Sequence, residues 1–262
     1  MTVSIPLPQR PIEDLPGHWL LARLGKRVLR PGGREMTDAL LTAARVPGAD
    51  VVELAPGLGR TAALILEAGP RSYTGVDEDP DAVLSTRANI SGRGTVREAP
   101  AAETGLEDAS ADLVVGEAML TMQSPRGKDA IVAEAARVLR TGGRYAVHEL
   151  AIEPDTLDDE QKTEIRKALA RSIKVNARPL TTHEWTALFE KHGFRVETVR
   201  HTDMALLEAK RNLDDEGVRG VLTIVINLLR NPGARKRVLE MRSVFRRYRD
   251  NMSAIALVAV KQ

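Results

Sequence analysis

Between residues 50 and 150, short apolar runs take turns with helical periodicity, and that alternation leaves the chain very few architectures. The runs at 50–54, 72–76, 94–98, 112–116 and 144–150 have the length of buried strands. Residues 61–68, 80–90 and 125–139 instead repeat apolar side chains every three or four positions, and Thr141-Gly142-Gly143 stops the last of these helices. Strands separated by helical crossovers pair in parallel, because the connection must return to the edge from which it started. The segment therefore reads as βαβ units under an α/β fold.

The flanks extend this plan. Helical spacing covers 16–29 and 34–46, broken at Pro31-Gly32-Gly33, and suggests an N-terminal helical cap over residues 1–48. Beyond residue 150 come helices at 158–176 and 182–192, with Thr181 or Thr182 placed to cap the second and Gly193 to end it. Residues 194–199 and the wholly apolar 254–260 read as two more strands, for a total of seven. The helical stretch at about 203–253 interrupts them as an inserted lid within a domain of 49–262.

Composition removes several classes of function. The 262 residues contain no cysteine, which excludes a disulfide framework, a thiolate nucleophile and a cysteine-ligated cluster. A net charge of +2 is too small to mark a polyanion binder. The first 16 residues hold four prolines and no long apolar core, unlike a secretory signal, so a cytoplasmic location is expected. The strongest apolar stretch, 221–229, is far shorter than the about 20 residues of a membrane-spanning helix. The five histidines, His18, His148, His183, His192 and His201, show no metal-ligand spacing, and no metal is expected.

The most informative string is Val51-Val52-Glu53-Leu54-Ala55-Pro56-Gly57-Leu58-Gly59, a strand that passes an acidic residue and enters a glycine turn before a helix. Such a turn lets backbone approach a ligand closely, in nicotinamide and flavin enzymes as well as others. The dinucleotide fingerprint, however, wants a small residue three places after its second glycine, and Arg60 stands there. Glu53 is placed to answer the ammonium of a methionine moiety. Asp77 closes the next run about 20 residues after the turn, where a carboxylate accepts both ribose hydroxyls. Asp77 and Asp79 are also alternative N-caps for the helix that starts at Pro80.

Taken together, these strings resemble the class I S-adenosylmethionine-dependent methyltransferases, in particular the ubiquinone- and menaquinone-biosynthesis branch and related small-molecule enzymes. Val51 to Gly59 resembles the family's first cofactor motif, and Gly75-Val76-Asp77 its ribose motif. Asp108-Ala109-Ser110-Ala111-Asp112-Leu113-Val114-Val115 resembles the approach to its fourth strand, and Ala136-Arg137-Val138-Leu139-Arg140-Thr141-Gly142-Gly143-Arg144 its helix, turn and fifth strand.

The resemblance implies a Rossmann-like, seven-stranded, mostly parallel sheet with helices on both faces. It implies S-adenosylmethionine as cofactor, bound by Glu53, Ala55, Gly57, Gly59, Asp77 and Glu78, with Ala101 offering its amide to adenine and Glu117 and Ala118 beside the cofactor. Two positions depart from the pattern. Ala55 stands where the family commonly has glycine, and Pro100 where an acidic residue commonly holds the adenine amino group. Arg30 and Lys26 either reach the cofactor carboxylate from the folded-over cap or form a solvated basic helix end.

Methyl transfer from a sulfonium needs alignment above all, so few catalytic residues are required. For a hydroxyl acceptor, His148, Glu149 and then Glu117 are the candidate bases. Strand alternation keeps His148 and Glu149 from sharing one cleft, and a structural role for His148 is the competing reading. The fourth run ends in Gly116-Glu117, without the aspartate of magnesium-dependent catechol-type enzymes or the Asn/Asp-Pro-Pro-aromatic string of DNA amino-methyltransferases. Nucleic-acid substrates are not expected.

Substrate information lies in the lid, where Val238, Met241, Phe245 and Tyr248 form an apolar stripe among Arg235, Lys236, Arg237, Arg242, Arg246, Arg247 and Arg249. Two readings are open for that stripe: peripheral contact with anionic lipid, or packing on the domain. The apolar run 221–229 is expected in the core. A small hydrophobic or amphiphilic acceptor suits such a lid, and homodimerisation is a further possibility. The alternatives are a nicotinamide-dependent oxidoreductase, which lacks an evident Tyr-Lys pair here, and a cofactor-binding regulator without enzymatic activity.

Overall fold

A computed structural model describes residues 9–204 and 206–262. Residues 1–8, half of the segment on which the cytoplasmic expectation rested, lie outside the described residues. Seven strands form one sheet: β1 (Asp50–Leu54), β2 (Ser72–Asp77), β3 (Thr95–Glu98), β4 (Ala111–Glu117), β5 (Leu139–Ile152), β6 (Phe194–Asp203) and β7 (Met252–Lys261). Their spatial order is β3-β2-β1-β4-β5-β7-β6. Only β7 runs antiparallel to its neighbours, with Val147 opposite Leu257 on one side and Val199 opposite Leu257 on the other.

Successive strand residues feed two cores, as the pleat requires. Val51, Leu113, Val115, Ala146 and Ala256 pack with α2 (Gly33–Ala44), α3 (Arg60–Glu67) and α4 (Pro80–Ile90). Val52, Val114, Val147 and Ile255 face the opposite way, against α5 (Pro125–Val138) and Trp185 and Phe189 of α7 (Thr182–Glu190). This two-sided burial explains why the strands read as continuous apolar runs.

The expected N-terminal cap divides into two parts. Met36, Leu40, Leu41 and Ala44 place α2 in the helical layer on the sheet, so only α1 (Gly17–Arg23) and the loop after it cover the strand ends. That helix is shorter than the expected 16–29 because Gly25, at φ 107°, turns the chain out of it. Gly17 lets α1 approach closely, since a Cβ there would lie 3.0 Å from Met241 Sδ and 3.1 Å from Ile173 Cβ. Thr181 is the cap of α7, in a reciprocal capping box with Glu184.

The insertion between β6 and β7 consists of α8 (Ala209–Arg230), broken at Gly217 (φ 68°, ψ 173°), and α9 (Pro232–Arg247). Of its two apolar segments, the stripe of α9 packs on the domain, as one of its two readings had it, whereas the 221–229 run departs from the expected core position. Met241 is buried, and Val238 and Phe245 pack inward beside α6 (Asp159–Ile173). In the 221–229 run, by contrast, Leu222 and Leu229 are 58% and 65% exposed. No helix among the described residues is long and apolar enough to cross a membrane, and no acidic or histidine cluster among them has metal-binding form.

Candidate functional site

The turn after β1 makes a cradle. Gly57 and Gly59 take φ of 58° and 69°, the left-handed region where a side chain is strained. A Cβ on Gly59 would come within 2.9 Å of Thr86 Cα, so this glycine permits α4 to pack close. A Cβ on Gly57 would instead point across the cavity at Trp19, 3.7 Å away. Ala55 adopts φ 53° without being glycine, at a strain of about 1 kcal/mol. The substitution for the family's glycine thus keeps the backbone shape.

Asp77 faces this cradle from the end of β2. Its Oδ2 accepts from the Gly57 amide at 3.0 Å and its Oδ1 from the Asp79 amide at 3.1 Å. Asp79, not Asp77, is the N-cap of α4, accepting from Asp81 N and Ala82 N, with Pro80 at the first helical position. Burial pushes the Asp77 carboxyl up, against the two backbone donors that favour its charged form.

A cavity of about 490 Å³ opens here. Its lining includes Ala55, Gly57, Asp77, Glu117 and Ala118 together with the apolar Trp19, Ile173, Met241 and Phe245, and Glu78, Pro100, Ala101, Leu21 and Leu206 also border it. The Ala101 amide has no acceptor among the described residues, so it is free to meet a ligand. The Ala118 amide is taken, donating to the His148 carbonyl at 2.8 Å. Gly59 lies behind the cavity wall rather than in it, through its contact with α4.

Glu117 is the hub beneath this cavity. Arg30 Nε stands 3.1 Å from its Oε2, Thr37 donates to its Oε1 at 2.6 Å, and Thr61 donates to Oε2. His148 Nδ1 is 2.9 Å from Oε1, while His148 Nε2 accepts the Gly32 amide at 2.9 Å. Burial pushes the Glu117 carboxyl up, but Arg30, His148 and Thr37 more than reverse it and hold it at about 2. Arg30 thus lines the cavity as the partner of Glu117, with Nη1 on Thr37 at 2.7 Å.

The two candidate bases on β5 have their polar atoms engaged within the fold, and of the two Glu149 borders the cavity. His148 is fully buried, with both ring nitrogens occupied, and as acceptor from Gly32 it is the neutral Nδ1–H tautomer. Glu149 accepts from the amides of Met119, Leu120 and Thr121 and from the Thr121 hydroxyl, so every bond it makes shapes the turn after β4. Burial pushes its carboxyl up while these donors oppose the shift. Glu149→Ala strands three buried amides, and urea denaturation is expected to show a loss of about 3 kcal/mol.

Lys26 does not reach the cofactor region either. Its Nζ bonds Asn212 Oδ1 at 2.6 Å and pairs with Glu216 at 3.7 Å. Glu216 also accepts the amides of Arg27 and Val28 at 2.7 and 2.8 Å, which fastens α8 to the loop after α1.

His18 escaped the sequence reading. It lines the cavity from α1, its ring centroid 4.6 Å from that of Trp19, and it makes no hydrogen bond among the described residues. Burial pushes its pKa down to about 4. Nothing in the periodicity of α1 marked it, because its role depends on which helices close over it.

Glu53 lies fully inside, accepting from Tyr73 Oη at 2.6 Å and edging the cavity. Burial pushes it up to about 8, a shift that Glu117 and Asp77 reinforce and Tyr73 and Arg30 oppose.

A methyltransferase-domain family model matches residues 51–143, the stretch holding the glycine turn, Asp77 and Glu117. A protein of Haemophilus influenzae with no assigned activity is 33% identical over 254 residues, spanning 95% of this chain and 98% of that one. Among solved structures, the MccD protein aligns with a TM-score of 0.69 at 16% identity over 89% of this chain and 99% of its own. An S-adenosylmethionine-dependent methyltransferase from Geobacter sulfurreducens, bound to S-adenosylhomocysteine, aligns at 0.66 with 18% identity over 95% and 99%.

The chain carries a methyltransferase domain over residues 51–143 within the fold of the class I S-adenosylmethionine-dependent methyltransferases, and the cofactor that such a domain implies is S-adenosylmethionine. That domain resolves the glycine turn in favour of the sulfonium cofactor over a dinucleotide. The residues present fit it: a glycine cradle open to the cavity, a carboxylate oriented by two amides, and an unclaimed Ala101 amide.

Proposed function

We propose that this protein methylates a small hydrophobic or amphiphilic molecule held beneath the lid. The observation that carries this reading is a single cavity lined both by Asp77 and Gly57 and by the apolar Ile173, Leu206, Met241 and Phe245. Asp77 holds the ribose, Glu53 faces the methionine ammonium, and Glu78, Pro100 and Ala101 surround the adenosine. Bound there, S-adenosylmethionine supplies an electrophilic methyl whose sulfur leaves without protonation.

The protein's own task is to align the acceptor and remove its proton. Apolar walls orient a lipophilic acceptor and keep water out of the line of attack. His18 lines this cavity with no hydrogen bond to its ring among the described residues, and it takes the proton of an acceptor O–H or N–H as the new bond to the methyl forms. His18→Ala is expected to lower kcat by about 100-fold or more while leaving S-adenosylhomocysteine affinity unchanged. Because burial holds His18 at about 4, the acid limb of the wild-type rate lies near that pH. An acid limb at the ordinary histidine value, about 6.5, would contradict this assignment.

Glu53 gives a second test. With a pKa of about 8 it is mostly protonated at pH 7 in the free protein, and an ammonium beside it favours ionisation. Cofactor binding at pH 7 is therefore expected to release up to about one proton, so affinity rises with pH until Glu53 ionises unaided. Calorimetry in two buffers of different ionisation enthalpy measures that release. Glu53→Gln removes it, and no release from the wild type would remove Glu53 from the ammonium site.

A further inference from the structure

The outer face of α8 has no partner among the described residues. Val218, Leu222, Val225 and Leu229 recur at intervals of four, three and four residues, within an arc of about 60° at 3.6 residues per turn. Val218 is 74% exposed, and all four belong to the exposed hydrophobics. The orientation is fixed from the other side, where Asn227 Nδ2 donates to the Leu24 carbonyl at 3.0 Å and Leu228 packs with Leu20, Leu21 and Leu24. Turning this stripe inward would break those contacts.

The charge around the stripe has one sign. Residues 217–239 contain no aspartate or glutamate. Arg219, Arg230, Arg235 and Lys236 are exposed and form no ion pair among the described residues. Elsewhere in the lid the exposed cations are matched: Arg246 with Glu208, and Arg247 with Glu164. An apolar stripe flanked by unmatched cations is complementary to a surface whose interior is hydrocarbon and whose boundary is anionic. Two copies meeting through this face would set cations against cations with no carboxylate to answer them.

We propose that the outward face of α8 docks the protein on an anionic lipid surface, with Val218, Leu222, Val225 and Leu229 entering the acyl boundary and Arg219, Arg230, Arg235 and Lys236 at the headgroup phosphates. The proposal deepens the reading of a lipophilic acceptor and rests on it for its purpose. The cluster under α8 includes Leu21 and Met241, which line the cavity. Docking thus brings the chamber beside the phase in which such an acceptor dissolves.

Co-sedimentation of the full protein with phosphatidylcholine vesicles, with and without phosphatidylglycerol, tests the docking independently of catalysis. Binding is expected on the anionic vesicles and is weakened at least about tenfold by Val218→Ser, Leu222→Ser and Leu229→Ser combined. Arg230→Gln, Arg235→Gln and Lys236→Gln combined are expected to weaken it by about 100-fold, at about fivefold per cation, and to reduce its salt dependence to that of Arg219 alone. Both sets alter exposed side chains, and retained S-adenosylhomocysteine binding verifies their fold. Absent vesicle binding overturns the proposal, as does binding that neither set weakens. So does a vesicle-free dimer that the serine set dissociates. Failure here alongside transfer to a lipophilic acceptor in detergent leaves the proposed function standing, whereas docking with only water-soluble product leaves the docking and removes that function.

Discussion

Asp77→Ala is expected to weaken S-adenosylhomocysteine binding by at least about 100-fold while the protein still folds. Two charge-assisted hydrogen bonds to ribose hydroxyls contribute about 1.5–3 kcal/mol each, and 1.4 kcal/mol is a factor of ten. The structural bonds that Asp77 makes are few, to the amides of Gly57 and Asp79 beside the cavity, where water can replace it. Asp77→Asn, which keeps one acceptor oxygen, is expected to fall between the two. Calorimetric titration with a parallel urea denaturation separates affinity from stability, and affinity in Asp77→Ala within threefold of wild type would exclude Asp77 from the ribose site.

The second large effect lies under the cavity, at Glu117. Glu117→Leu removes the counter-charge of Arg30, a buried guanidinium, and strips His148, Thr37 and Thr61 of a common acceptor. Removing one partner of a buried pair costs about 3–5 kcal/mol, because the other charge stays buried without compensation. Urea denaturation at pH 7 measures this loss. The same network makes stability depend on pH: with the folded carboxyl at about 2 and an ordinary value of 4.5, Glu117 contributes about 3 kcal/mol. That contribution is complete above pH 4.5 and is lost as pH falls toward 2. A Glu117→Gln variant is expected to flatten this acid limb, and an unchanged limb would mean that other carboxylates set it.

The strands and the cofactor cradle were legible because local pattern and backbone chemistry coincide there. Val51, Val52 and Leu54 put apolar side chains on both faces of a strand that lies between two helical layers. Gly57 and Asp77 announce themselves by the conformations and donors that a turn beside a ligand demands. The lid was legible as an insertion but not in its orientation. Leu222 belongs to the more apolar of the two helices, yet Met241 is the one that faces inward, and the anchoring of Asn227 on Leu24 and of Gly17 under Met241 fixes that arrangement.

The surroundings of the titratable residues were not legible for a related reason. His148 and Glu149 sit at the end of a strand, where catalytic groups commonly gather, but Gly32 and the turn at Met119 to Thr121 use their polar atoms. His18 lies on a short helix far from any motif and reaches the cavity only because α6 and α9 close over it. Tertiary partners decided each of these roles, and no local spacing records them.

The most direct measurement of the central claim follows methyl label from S-adenosylmethionine when purified protein is incubated with a whole-cell small-molecule extract divided into organic and aqueous fractions. Label transferred into organic-extractable product, and lost in His18→Ala, is the result expected of a lipophilic acceptor chamber. Label appearing only in water-soluble metabolites or protein, or tight cofactor binding with no transfer in either fraction, would contradict it.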